Sequence, residues 1–149
     1  MWYRFWVFVH ISGALGFLAV HGVSAGVAFR LRREHEPDRV RALLALSAAT
    51  RPWMYASLSV LLAGGIVAGS LGSWWGDSWI WEAVVLLTLL VVGAVPLAVP
   101  YYRRVRKLAA GPGSEDLARV LQSPRPIVIA VVESVGLLLI VYLMVLKPG

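Results

Sequence analysis

The sequence predicts an all-α protein: a four-helix transmembrane bundle, up-down-up-down, with the N- and C-termini both outside (N-out/C-out). Three observations predict it. Of 149 residues 59% are hydrophobic and only 15% are charged, where a soluble domain would carry about a quarter charged. That is too little polar surface to cover a water-soluble globule. Four apolar runs, residues 5–29, 53–71, 80–99 and 126–146, each reach the roughly 20 residues that cross a bilayer at about 1.5 Å per residue. Finally, twelve of the fourteen Lys and Arg residues fall in two of the three connections, which gives one orientation by the positive-inside rule.

The first run does not read as a signal peptide. Its apolar core is too long, its N-terminal flank carries only Arg4, and the basic cluster follows it. Residues 30–52, "RLRREHEPDRVRALLALSAATRP", form the first basic loop, expected in the cytoplasm. Asp38 is expected to cap a short surface helix there, and Arg51-Pro52 restarts the chain into span two. The connection "GSLGSWWGDSWIW" has no Lys or Arg and belongs outside. Span three contains Pro96, a candidate kink. The second basic loop, residues 100–125, should carry another short helix, capped by Ser114 with Glu115 and Asp116 in its first turn. Arg125-Pro126 then opens span four. The halves share this plan, which hints at a duplicated hairpin, and the whole chain is one membrane domain.

Aromatic residues fit the same frame. Trp2, Trp6, Trp74, Trp75, Trp79, Trp81 and Tyr142 fall at one interface, and Trp53, Tyr55, Tyr101 and Tyr102 at the other. The pairs Gly22/Gly26 and Gly65/Gly69 have the small-xxx-small spacing of helix-packing surfaces in lipid. The formal charge of +6 needs no nucleic-acid partner, because its placement suits topology and contact with anionic lipid. There is no cysteine, which excludes disulfides, thiolate metal sites and iron–sulfur clusters.

Two of the three histidines lie within span one. Eleven residues on a helix leave a net offset of only about 20°, so His10 and His21 share a face, roughly 16 Å apart along the axis. That face also carries Ala14, Phe17, Ser24, Ala25 and Ala28, while Phe8, Ile11, Leu15, Ala19 and Val23 suit lipid on the opposite side. Span four repeats the spacing with Glu133 and Met144. Measured from the span centres, His21 and Glu133 sit roughly 5–6 Å toward the basic side, and His10 and Met144 about 10–11 Å toward the other. Two depth-matched pairs follow, His21 with Glu133 and His10 with Met144. Glu133 is the most informative residue, since an intramembrane carboxylate needs a partner or water.

Several chemistries fit this face. Imidazole is a common axial ligand of b-type haem, so His21 and His10 are candidate iron ligands, with Met144 and Met54 as sixth ligands. One haem per chain, or a site completed at a homodimer or larger-complex interface, and electron transfer with a quinone would follow. Copper(I) accepts imidazole and thioether, as His10 and Met144 would supply. A proton path through His21 and Glu133 is a third reading. The plain alternatives are histidines hydrogen-bonded to backbone or Ser24, a protonated Glu133 bonded to a helix neighbour, and a structural subunit without cofactor. Phosphate loops, zincin histidine pairs and nucleophile elbows are absent from the sequence.

"HGVSAGVAFRLRRE", followed by "RVRALLALS" and, after the third span, "YYRR", resembles a family of bacterial four-span membrane proteins of uncharacterised function. The resemblance covers nearly the whole chain and is most specific over residues 20–47. That family looks related to the copper-resistance-D-like membrane proteins, a group that includes haem-associated protoporphyrinogen oxidases. The resemblance implies a four-helix bundle in a bacterial inner membrane, with a span-one histidine as haem or metal ligand. His21 in "VHGVS" matches the nearer motif, and His10 lies in the H-x-x-G-A element of the wider group. The oxidase branch pairs a histidine with a membrane lysine, and no span here contains lysine. The copper branch is richer in histidine and methionine.

Overall fold

A computed structural model describes residues 1–111 and 115–148. The chain is all-helical among these residues: α1 (Trp2–Leu31), α2 (Pro37–Ala49), α3 (Arg51–Leu71), a 3-10 turn at Trp74–Gly76, α4 (Ser78–Ala109), α5 (Glu115–Leu121) and α6 (Arg125–Leu146). Four helical segments, containing α1, α3, α4 and α6, are long and apolar enough to cross a membrane. They form a multi-pass four-helix bundle. α1 packs chiefly on α3 and α4 on α6, and the two hairpins meet where α1 touches α6. Leu138 and Val145 are each 70% exposed and Leu15 is 63% exposed, as expected where lipid is the solvent.

The helix starts follow proline chemistry. α3 and α6 each open on Arg-Pro, with proline in the first turn, where its missing N–H costs nothing. α2 differs from expectation by the same rule. Pro37 takes the first helical position, so Glu36 becomes the N-cap and Asp38 falls in the first turn. Asp38 instead pairs with Arg41. The Ser114 cap lies outside the described residues; Glu115 and Asp116 do occupy the first turn of α5.

The second basic segment is less of a loop than its charge suggests. α4 continues through Pro96 and Pro100 and on to Ala109, because Tyr101, Val105 and Ala109, spaced four apart, bury one stripe beyond the bilayer. That stripe joins Val27 and Leu31 of α1, Val40 and Leu44 of α2, and Leu117 and Leu121 of α5 in a buried hydrophobic core. Leu31, Val40 and Val105 are 0% exposed. Water, absent from the bilayer, drives this burial at the basic end. Arginines tie the cap together: Arg41 Nη1 donates to the Ala109 carbonyl (2.7 Å) at the end of α4, and Arg32 Nη2 to the Gln122 carbonyl (3.3 Å). Both satisfy acceptors that a helix terminus leaves open. The turn into α2 is closed by Glu34, whose carboxylate accepts the backbone N–H of His35 (3.1 Å) and Glu36 (3.3 Å).

At the opposite, tryptophan-rich end, Trp79 is buried and donates to Asp77 (3.2 Å). Lys147 Nζ lies 3.7 Å from the Trp74 ring centre, a cation–π contact that ties the end of α6 to the turn before α4.

The glycine pairs differ in what they meet. A Cβ at Gly22 or Gly26 would meet nothing within 4 Å, so that pair packs against no other helix of the chain. The close crossing lies elsewhere. A Cβ on Gly13 would come within 2.4 Å of the Leu61 backbone nitrogen, and one on Gly64 within 2.6 Å of the His10 nitrogen. These two glycines let the α1 and α3 backbones touch, as small residues do in membrane helices. Gly65 and Gly69 do carry packing, against His10 and against Trp75 and Ile80.

Candidate functional site: an ionisable pair inside the bundle

Where α1 meets α6 with α4 behind them, the structure brings His21 and Glu133 together. His21 Nδ1 and Glu133 Oε2 are 3.6 Å apart, with the side chains 15% and 24% exposed. The separation is too long for a direct hydrogen bond. It is well inside Coulomb range, about 4–5 kcal/mol gross at an effective dielectric near 20. Phe17, one turn before His21, holds its ring nearly parallel to the imidazole (13° between planes). Leu87, Leu90 and Val91 of α4 and Leu137 of α6 complete an apolar cavity of about 30 Å³ around the pair. Leu90 reaches this wall because Gly136 leaves it room: a Cβ there would come within 2.6 Å of the leucine side chain. The other imidazole nitrogen, Nε2, is buried and has no hydrogen-bond partner among the described residues.

The cavity's size decides what it can hold. About 30 Å³ accommodates one water, which would bond to Nε2. Cofactor pockets run to roughly 300–1,000 Å³. As packed, the site does not fit a haem macrocycle, and Met54 and Met144 are not among its lining residues.

His10 sits differently. Its Nδ1 is 2.8 Å from the Leu61 carbonyl oxygen on α3. A carbonyl only accepts, so Nδ1 carries the proton and donates. The ring lies against Gly65 at the close α1–α3 crossing. The two histidines of the shared face thus meet different helices, His10 reaching α3 and His21 reaching α6. His10 turns to α3. Its contact is the backbone hydrogen bond that buried histidines ordinarily make. Met54 and Met144 are both partly buried. In the antiparallel register that pairs His10 with Gly64, Gly13 with Leu61 and Gly16 with Ser57, Met54 is level with Val20. Among the described residues no three of His, Cys, Asp and Glu gather into a metal-binding group.

The α4 wall was not legible from spacing: Leu87, Leu90 and Val91 are unremarkable leucine-rich helix, and only the notch at Gly136, three residues after Glu133, marks where a neighbour enters. Comparison with family models, curated proteins and solved structures finds no match to this chain, so its own residues carry the functional reading.

Proposed function

We propose that the protein acts in a bacterial inner membrane, basic end in the cytoplasm, as a proton-coupled membrane protein whose working centre is the His21–Glu133 pair. The observation that carries this reading is the 3.6 Å approach of an imidazole and a carboxylate from two different spans. An ionisable group within a bilayer costs about 2.5–3.5 kcal/mol on insertion scales and is functional by default. Here two of them meet.

The chemistry follows from charge. Imidazolium with carboxylate, and imidazole with carboxylic acid, both sum to zero and differ only by a proton moved between the two groups. An apolar surrounding favours these states over a net charge of either sign. Gain or loss of a proton by the pair therefore couples to movement of a second charge, whether an ion, a charged solute or an electron. In reconstituted vesicles with an imposed potential, a pH-sensitive dye and salts that supply small cations and anions on both faces, the reading expects proton flux that Glu133→Gln abolishes. Flux equal in wild type and variant would count against it.

A second reading keeps electron transfer through haem b, with His21 as ligand and a quinone as partner. Its support is the buried Nε2 atom, without a hydrogen-bond partner among the described residues, the nitrogen an imidazole offers to iron, and it requires the α4 wall to move. Soret and α bands in protein made with ample haem, lost in His21→Ala, would favour it.

A further inference from the structure

The charge rule accounts for arginines at the basic end in general, not for where three of them converge. Beside the buried cap, α2, the start of α3 and the end of α4 enclose an open groove of about 320 Å³, lined by Arg41, Arg51 and Arg106 over a floor of Leu44, Ala45 and Ala48. Arg41 is already committed, to Asp38 and to the Ala109 carbonyl. Arg51 and Arg106 form no ion pair among the described residues. Two uncompensated positive charges therefore line one groove.

Its position names the ligand. Arg51 directly precedes the apolar run of α3, and two residues on, Trp53 is 69% exposed, an interfacial aromatic at headgroup level. The groove thus begins at the bilayer surface and rises along α2 and α4, whose apolar run ends about 10 Å below Arg106. We infer that the groove is a binding site for an anionic phospholipid, its headgroup phosphate held by Arg51 and Arg106 across the floor of Leu44, Ala45 and Ala48. Guanidinium is the side chain suited to phosphate, with paired donors in a fixed plane. The bilayer supplies such lipids within reach, and basic pockets on this side of membrane bundles take anionic headgroups. The site is separate from the His21–Glu133 cavity and does not depend on its role.

The test is thermal unfolding of delipidated full-length protein in neutral detergent, with phosphatidylglycerol, phosphatidylcholine or inorganic phosphate added. Phosphatidylglycerol at ten times its dissociation constant should raise the melting temperature by about 3–5 °C, and phosphatidylcholine should not. Arg51 and Arg106 are both exposed, so a double Arg51→Gln/Arg106→Gln variant leaves the fold intact. It should retain the lipid about thirtyfold less tightly. A charge-matched Arg103→Gln/Arg104→Gln control, outside the groove, should bind as wild type. Equal loss in both variants, an equal shift with phosphatidylcholine, or a full shift with inorganic phosphate alone would each overturn the site.

Discussion

Replacing His21 and Glu133 with apolar residues, singly and together, separates a coupled pair from two independent buried groups. At 3.6 Å the gross attraction of about 4–5 kcal/mol at an effective dielectric near 20 is offset in large part by the desolvation of both charges. The 3.6 Å gap adds no direct hydrogen bond to this. A net coupling of roughly 1–3 kcal/mol remains, in the range of contacting residues. Glu133→Leu leaves an imidazole without its counter-charge, and His21→Phe leaves a carboxyl among leucines. Each single variant should lose about 1–2 kcal/mol, below the 3–5 kcal/mol of a fully buried pair because both side chains keep some exposure. The double variant should fall within about 1 kcal/mol of wild type, since an apolar replacement of a buried pair is often neutral. The assay is reversible unfolding of the detergent-solubilised protein. Losses that add to within about 0.5 kcal/mol would show no coupling and refute the pairing.

Three other outcomes follow from the same structure. Gly13→Ala and Gly64→Ala push a methyl into the partner backbone and should each cost at least about 1–3 kcal/mol, while Gly22→Ala and Gly26→Ala should stay within about 0.5 kcal/mol; thermal melts of the four variants check this. Lys147→Met removes the cation over Trp74 and should cost about 0.5–1 kcal/mol, read by the same melts and by greater accessibility of Trp74 to an aqueous quencher. Glu34 is held below the usual carboxylate range by the backbone N–H of Glu36 first, with that of His35 helping; a lowered folded-state value gives stability present above the ordinary carboxylate pKa and lost as pH falls through the lowered one, so Glu34→Gln should flatten that acid limb of the stability profile.

The architecture was legible because its causes are local. Apolar run length, Arg-Pro starts and basic connections each act over a few residues, and the helices begin and end near where those signals stand. The continuation of α4 to Ala109 was legible too, in the four-residue spacing of Tyr101, Val105 and Ala109, but the surrounding arginines argued for a loop. At the site, rise per residue put His21 and Glu133 at one depth, and it could do no more. Whether two helices at equal depth face each other depends on rotation, which the notches at Gly13, Gly64 and Gly136 set together. The partner of His10 had no signal at all, because a backbone carbonyl looks alike at every residue. The same holds for the choice between Gly22/Gly26 and Gly13/Gly64: either glycine set could carry a crossing, and the crossing itself decides.

The claim that His21 and Glu133 share a proton is tested most directly by infrared titration of the Glu133 carboxyl stretch in lipid, assigned by its loss in Glu133→Gln and repeated in His21→Phe. Coupled groups titrate in steps that belong to the pair. The carboxyl band should therefore change with pH along a curve that His21→Phe displaces. A Glu133 titration identical with and without His21 would contradict the shared proton and leave two buried groups that only happen to be neighbours.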